Sequence, residues 1–112
     1  MKKRSTLWLK NIDLSREVAK AEYKRLKGDA DLKLAGLQRQ VKDLGIPVIV
    51  VFEGWSAAGK GTLINELILP LDPRGFTVRS ARRPTEEQVF YPFLLRFWKW
   101  TPTRGRLAIF DR

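Results

Sequence analysis

Phe52-Glu53-Gly54-Trp55-Ser56-Ala57-Ala58-Gly59-Lys60-Gly61-Thr62 is the stretch on which the reading of this chain turns. Its frame, Gly54-x-x-x-x-Gly59-Lys60, has the spacing of a phosphate-binding loop. A plain glycine-rich turn can share that spacing, so the flanks carry the argument. The β-branched run Val48-Ile49-Val50-Val51-Phe52 precedes it, and Leu63, Ile64, Leu67 and Ile68 follow at helical spacing. Between a strand and a helix, glycines let the backbone turn tightly and approach a ligand. Successive N–H groups then face one concavity at the positive end of the helix. Lys60 adds a full charge for the outer phosphates.

Moving outward toward the C-terminus, the loop helix runs from Lys60 to about Leu69 and stops at Pro70. The turn Asp72-Pro73-Arg74-Gly75 leads into a second strand, Phe76–Ser80, and then the polar loop Ala81-Arg82-Arg83-Pro84. Thr85-Glu86-Glu87-Gln88 has the spacing of a capping box. An aromatic segment follows, with Phe90, Tyr91, Phe93, Phe97, Trp98 and Trp100, and Pro92 kinks or restarts it. Its helical spacing favours core and subunit contacts; the alternative is a stacking surface for single-stranded nucleic acid, using Arg96 and Lys99. A third strand, Arg106–Phe110, delivers Asp111 at its carboxyl end.

Strands alternating with helices predict a parallel α/β sheet, whose ligands sit at the carboxyl ends of the strands. Gly54 and Asp111 both fall there. An acidic group in that place can hold Mg²⁺ through water and the substrate's phosphates; a helix cap or a surface carboxylate is the plainer reading. Many such loops carry Ser or Thr directly after the lysine. Here Gly61 stands there and Thr62 comes next, an ending shared with nucleotide-kinase-like loops. Arg82, Arg83, Arg104 and Arg112 are candidate phosphate clamps, because guanidinium groups match phosphate geometry.

Upstream, residues 1–46 read as a helical arm and residues 47–112 as the α/β core. The arm reads as two helices. The first starts at Leu14 or Ser15, capped by Asp13 or Ser15, carries Val18, Ala19, Tyr23 and Leu26, and stops at Gly28. The second carries Leu34, Leu37, Val41 and Leu44 as its buried stripe and ends at Gly45 before Pro47. Lys20, Lys24, Arg25 and Lys27 read as a solvated outer face.

The 112 residues hold 22 Lys and Arg against 12 Asp and Glu, a net charge of +10 that favours a polyanionic partner. With neither Cys nor His, disulfides, thiolate zinc sites and imidazole bases are excluded. Phosphoryl transfer on a phosphate-binding loop needs neither residue. No apolar run is long enough to span a bilayer, and the basic start Met1-Lys2-Lys3-Arg4-Ser5 lacks an apolar segment after it. A cytoplasmic location is the expectation.

Taken together, Phe52-Glu53-Gly54-Trp55 with Ala57-Ala58-Gly59-Lys60-Gly61, Leu71-Asp72-Pro73-Arg74-Gly75-Phe76, Pro84-Thr85-Glu86-Glu87 and Phe110-Asp111-Arg112 resemble the family-2 polyphosphate kinases. The resemblance covers about residues 8–112. It implies a thymidylate-kinase-like P-loop fold and Mg²⁺-dependent phosphoryl transfer between inorganic polyphosphate and ADP, GDP or AMP. By it, Gly54, Trp55, Ser56, Ala57, Ala58, Gly59, Lys60, Gly61, Thr62 and Arg112 would hold phosphates. Lys60 and Asp111 would be the catalytic pair, with Asp111 the metal ligand, and Arg83-Pro84-Thr85 would lie near the nucleotide. A homo-oligomer is expected, and neither membrane nor nucleic acid is the expected partner. Two departures stand out. The family carries Asp after Gly-Trp where this chain has Ser56, and a hydroxyl cannot replace a carboxylate's charge at Mg²⁺. The family also continues past Phe-Asp-Arg. The expectation is therefore a sheet incomplete at the C-terminus, such as the start of a polyphosphate:AMP phosphotransferase with a degenerate first site. A non-catalytic anion-binding domain is the competing reading.

Overall fold

Strand β3 (Leu107–Asp111) forms the middle of a three-stranded sheet, with β1 (Val48–Phe52) on one side and β2 (Phe76–Ser80) on the other. The computed structural model describes residues 12–112. Both pairings are parallel, and Leu107 lies opposite Val48 and Phe76. The apolar run explains the central position: Ala108, Ile109 and Phe110 are all buried, and Ile109 is 0% exposed. The strand boundaries match the sequence reading except that β3 begins and ends one residue later.

Strand β1 departs from expectation. An uninterrupted apolar run predicts burial on both faces, but Ile49 and Val51 are 47% and 53% exposed. Helix α2 (Lys60–Ile68) packs on β3 through one face, where Ile64 is buried. The alternate side chains of β1 meet no such cover among the described residues.

After β2, the Thr85 capping box forms as read: Gln88 N–H donates to Thr85 Oγ1 at 3.3 Å and Thr85 N–H to Gln88 Oε1 at 3.1 Å. It opens the single turn α3 (Glu86–Val89). The aromatic segment then breaks at Pro92 and restarts as α4 (Leu95–Trp98). Phe97 and Trp100 pack on Phe110 of β3 with centroids 6.4 and 6.3 Å apart, and Phe93 joins at 5.3 Å from Phe97. Such tilted pairs are the favoured ring geometry. Four of the chain's aromatics thus form a cluster of their own, while Phe90 and Trp98 stay exposed.

The arm is one helix, not two. Helix α1 runs unbroken from Lys20 to Leu44, about 37 Å at the helical rise. Gly28 does not stop it, because an interior glycine costs only about 1 kcal/mol. The i,i+4 pairs Arg25–Asp29 (3.5 Å) and Lys27–Asp31 (2.9 Å) straddle the position. The start also falls later than read. Asp13 does not cap a helix; its carboxylate accepts from the Ser15 amide and hydroxyl in a local turn, a common competitor of helix. Gly45 ends α1 as expected, at φ +64°.

The docked face of α1 is only partly the one read from the leucines. Leu37 and Leu44 are 54% and 71% exposed, whereas Gln38 is buried. Leu34 and Val41 do turn inward. Lys27, read as solvated, bridges Asp31 and Glu66 of α2 at 2.9 and 3.0 Å. Those two hydrogen bonds push its ammonium up to about 12. Gln38 makes a bidentate clamp on the Asp72 backbone, donating to Asp72 O at 2.9 Å and accepting from Asp72 N–H at 2.7 Å.

Candidate anion-binding site at the carboxyl end of the sheet

The chain leaves β1 at Phe52 and must reverse into α2 within seven residues, 53–59. It does so with two left-handed residues, Ala57 at φ +62° and Gly59 at φ +101°. Gly59 occupies a region that only glycine enters freely. For Ala57 the left-handed state costs about 1–2 kcal/mol, and an alanine held there marks a loop whose shape is imposed by its surroundings. Gly54 and Gly61 are not forced in the same way. A Cβ on Gly54 would meet Lys60 Cδ at an ordinary 3.7 Å, and one on Gly61 would meet nothing within 4 Å.

Trp55 to Thr62, together with Ser80, Ala81, Asp111 and Arg112, line a cleft of about 530 Å³. Among the described residues no side chain caps the start of α2, so its first amides face the cleft without an intrahelical partner. Lys60 folds back across the loop: its Nζ donates to Gly54 O at 2.6 Å and Trp55 O at 3.3 Å. That pose neutralises two carbonyls that would otherwise repel an anion.

Asp111 closes β3 directly opposite Phe52 and Ser80. The backbone around it is pinned from both sides, with Ala81 N–H donating to Asp111 O at 2.8 Å and Arg112 N–H to Phe52 O at 2.9 Å. The Arg112 guanidinium lies 3.4 Å from Glu53 and 5.6 Å from the Phe93 ring centre. A carboxylate on one strand end thus faces a loop on its neighbour, across one cleft.

Not every sequence candidate joins them. Arg82 and Arg83 do not line the cleft, and neither do Pro84 and Thr85. Thr85 is committed to capping α3, which turns the chain outward there. Arg104 lies at the opposite end of the sheet, in a separate cleft with Arg39 and Lys42. The reason is topological: it precedes β3, and parallel strands put all their starts on one side. Sequence reasoning missed Ser80 and Ala81, although the rule that ligands sit beyond strand ends pointed to them. It named Arg96 only for the alternative stacking surface and missed its place here. That side chain sits over the Phe97 ring at 4.5 Å and donates to Arg82 O at 2.8 Å, fixing the loop after β2.

A strand, a left-handed loop and a helix, with a carboxylate on the adjacent strand, define the class: a parallel α/β core with a P-loop-like strand–loop–helix. The chain belongs to the polyphosphate kinase 2 family, whose model matches residues 17–112. It is 38% identical over 104 residues to the polyphosphate:AMP phosphotransferase of Pseudomonas aeruginosa, covering 93% of this chain and 21% of that protein. The GDP-polyphosphate phosphotransferase of the same species is 35% identical over 91 residues, 81% of this chain and 26% of its own length. The crystal structure of polyphosphate kinase 2 from Arthrobacter aurescens superposes with a TM-score of 0.80 at 28% identity, over 96% of this chain and 42% of that one. A putative polyphosphate kinase 2 from P. aeruginosa gives 0.83 at 38%, over 93% and 23%. The chain therefore spans less than half the length of each of these relatives.

Proposed function

We propose that this chain supplies the phosphate-binding part of a phosphotransferase acting between inorganic polyphosphate and a nucleoside mono- or diphosphate (AMP, ADP or GDP). The observation that carries the reading is the left-handed loop Ala57–Gly59 at the head of α2, facing Asp111 across one cleft. The loop amides and Lys60 hold the terminal phosphates, and Arg112 contributes a further cation. The terminal phosphoryl group of the polymer passes to a phosphate oxygen of the nucleotide, or back, while the bridging oxygen keeps the bonding electrons. With no covalent intermediate required, the side chains act by positioning and charge. Nucleotide substrates are cytoplasmic, and exposed apolar groups such as Phe90 and Trp98 suit assembly into a homo-oligomer.

The donor set suits Mg²⁺. Asp111 and the hydroxyls of Ser56, Thr62 and Ser80 are hard oxygen ligands lining one cleft, and among the described residues no cluster of three or more metal-binding side chains exists. Mg²⁺ ordinarily binds through one or two carboxylates with water and phosphate. Asp111 would hold it, and the ion would neutralise charge on the transferring phosphates.

Substituting Lys60→Ala tests this reading. Transfer from polyphosphate to AMP, ADP and GDP should fall roughly 10²- to 10³-fold, the usual cost of losing one charge-stabilising donor. An unchanged rate would refute it. A second reading rests on Ser56, the hydroxyl where the family carries Asp: a degenerate loop that binds anions without transferring phosphate. Ser56→Asp separates the two, since a gain in transfer from a silent parent supports a lost metal contact.

A further inference from the structure

The opposite end of the sheet holds a second cleft, of about 570 Å³, where the C-terminal half of α1 meets the turns entering β2 and β3. Among the described residues five cationic side chains line it, Arg39, Lys42, Arg74, Arg104 and Arg106, against the single acid Asp72. They come from three separate segments of chain, so no local sequence run accounts for their meeting. The segments are held at close quarters. Gln38 clamps the Asp72 backbone, and a Cβ on Gly75 would clash with Gln38 Nε2. Gly105, at φ +77°, brings the β3 turn so near that a Cβ would lie 3.2 Å from the Lys42 backbone.

We propose that this cleft is a second anion site, distinct from the loop site, and that its ligand is a condensed inorganic phosphate. The charge is only partly used internally. Arg74 pairs with Asp72 at 2.8 Å and Arg106 donates to Arg74 O. Arg39, Lys42 and Arg104 make no ion pair among the described residues. Guanidinium forks match phosphate oxygens in geometry and charge. The rest of the lining selects against nucleotides: among the described residues Ala35 and Pro70 are its only apolar side chains, and none of them brings an aromatic ring to stack a base. A bare phosphate chain needs no such platform. This proposal rests on the polyphosphate reading for its choice of ligand, and it adds a place on the protein that grips the polymer away from the reacting end. Strands of five residues separate the two clefts, roughly 16 Å.

Calorimetric titration with tripolyphosphate tests it. The wild-type protein should bind two equivalents, Lys60→Ala one, and Arg39→Gln with Arg104→Gln the other one. The paired glutamines should weaken the second site at least about tenfold, as expected for lost charge-assisted bonds. Arg39→Lys with Arg104→Lys, which keeps the charge and the fold, should retain it. A wild-type stoichiometry that the glutamine pair leaves unchanged overturns the proposal. So does a single-stranded oligonucleotide of equal charge that displaces tripolyphosphate from this site. The two readings fail separately: if the loop site is wrong, Lys60→Ala changes nothing while the glutamine pair still removes one equivalent.

Discussion

At the carboxyl end of the sheet the charge is sparse and the lining is mostly loop backbone. One lysine and one arginine stand beside a loop bent by Ala57 and Gly59. At the amino end Gly105 also turns left-handed, but the lining is made of side chains, with five cationic groups gathered around a glutamine clamp. The first end is built by a short segment with its own conformational demands. The second exists only because α1 docks where it does. A site made of backbone amides is fixed in position and suits a reacting group, whereas a site made of long flexible side chains suits holding a polymer in several registers.

The contrast can be strained at its shared support first. Ile109→Ala, in the fully buried centre of β3, should cost about 2–5 kcal/mol in denaturant unfolding and degrade both clefts alike. If only one cleft suffered, the two ends would not share β3 as their frame. Gln38→Ala strikes the amino end alone. It removes both hydrogen bonds to the Asp72 backbone, should cost about 1–2 kcal/mol, and should leave anion binding at Lys60 unchanged. Gly28→Ala touches neither end. A Cβ there meets nothing within 4 Å, so the unbroken helix should gain about 0.5–1 kcal/mol; a loss would argue for a break in the arm.

Acid and alkali sharpen the comparison further. Arg74 hydrogen bonds hold the Asp72 carboxyl down from 3.8 to about 2. The sign follows: a depressed carboxylate stabilises the folded state above pH 3.8, and that contribution fades as pH falls toward 2. Acid should therefore loosen the amino-end turn, read as a shift of its amide signals absent in Asp72→Asn. Lys27 behaves oppositely. Its raised ammonium, from 10.5 to about 12, stabilises the docked arm fully below pH 10.5 and loses that effect as pH rises through 12.

The same division explains what the sequence could reveal. Strands β1 and β2, the loop spacing, the Thr85 capping box and the Gly45 stop are each decided within a few residues, and each lies where local rules put it. Gly28 misled because an interior glycine is only a weak local penalty. Gln38 was invisible, since its partner lies 34 positions away and a leucine stripe nearby offered a better local pattern. Arg104 stayed one candidate clamp among four, because the sequence does not say which strand mouth it occupies. Ile49 and Val51 read as core because β-branched runs usually are.

The loop itself is open to direct observation. Amide ¹H–¹⁵N spectra recorded while tripolyphosphate is added should show the largest shifts at Ser56 through Thr62. Those shifts should collapse in Lys60→Ala, while Gln38 and Gly105 respond in both proteins. Loop amides that stay still at saturating phosphate, or that move equally without Lys60, would contradict the claim that this backbone wraps an anion.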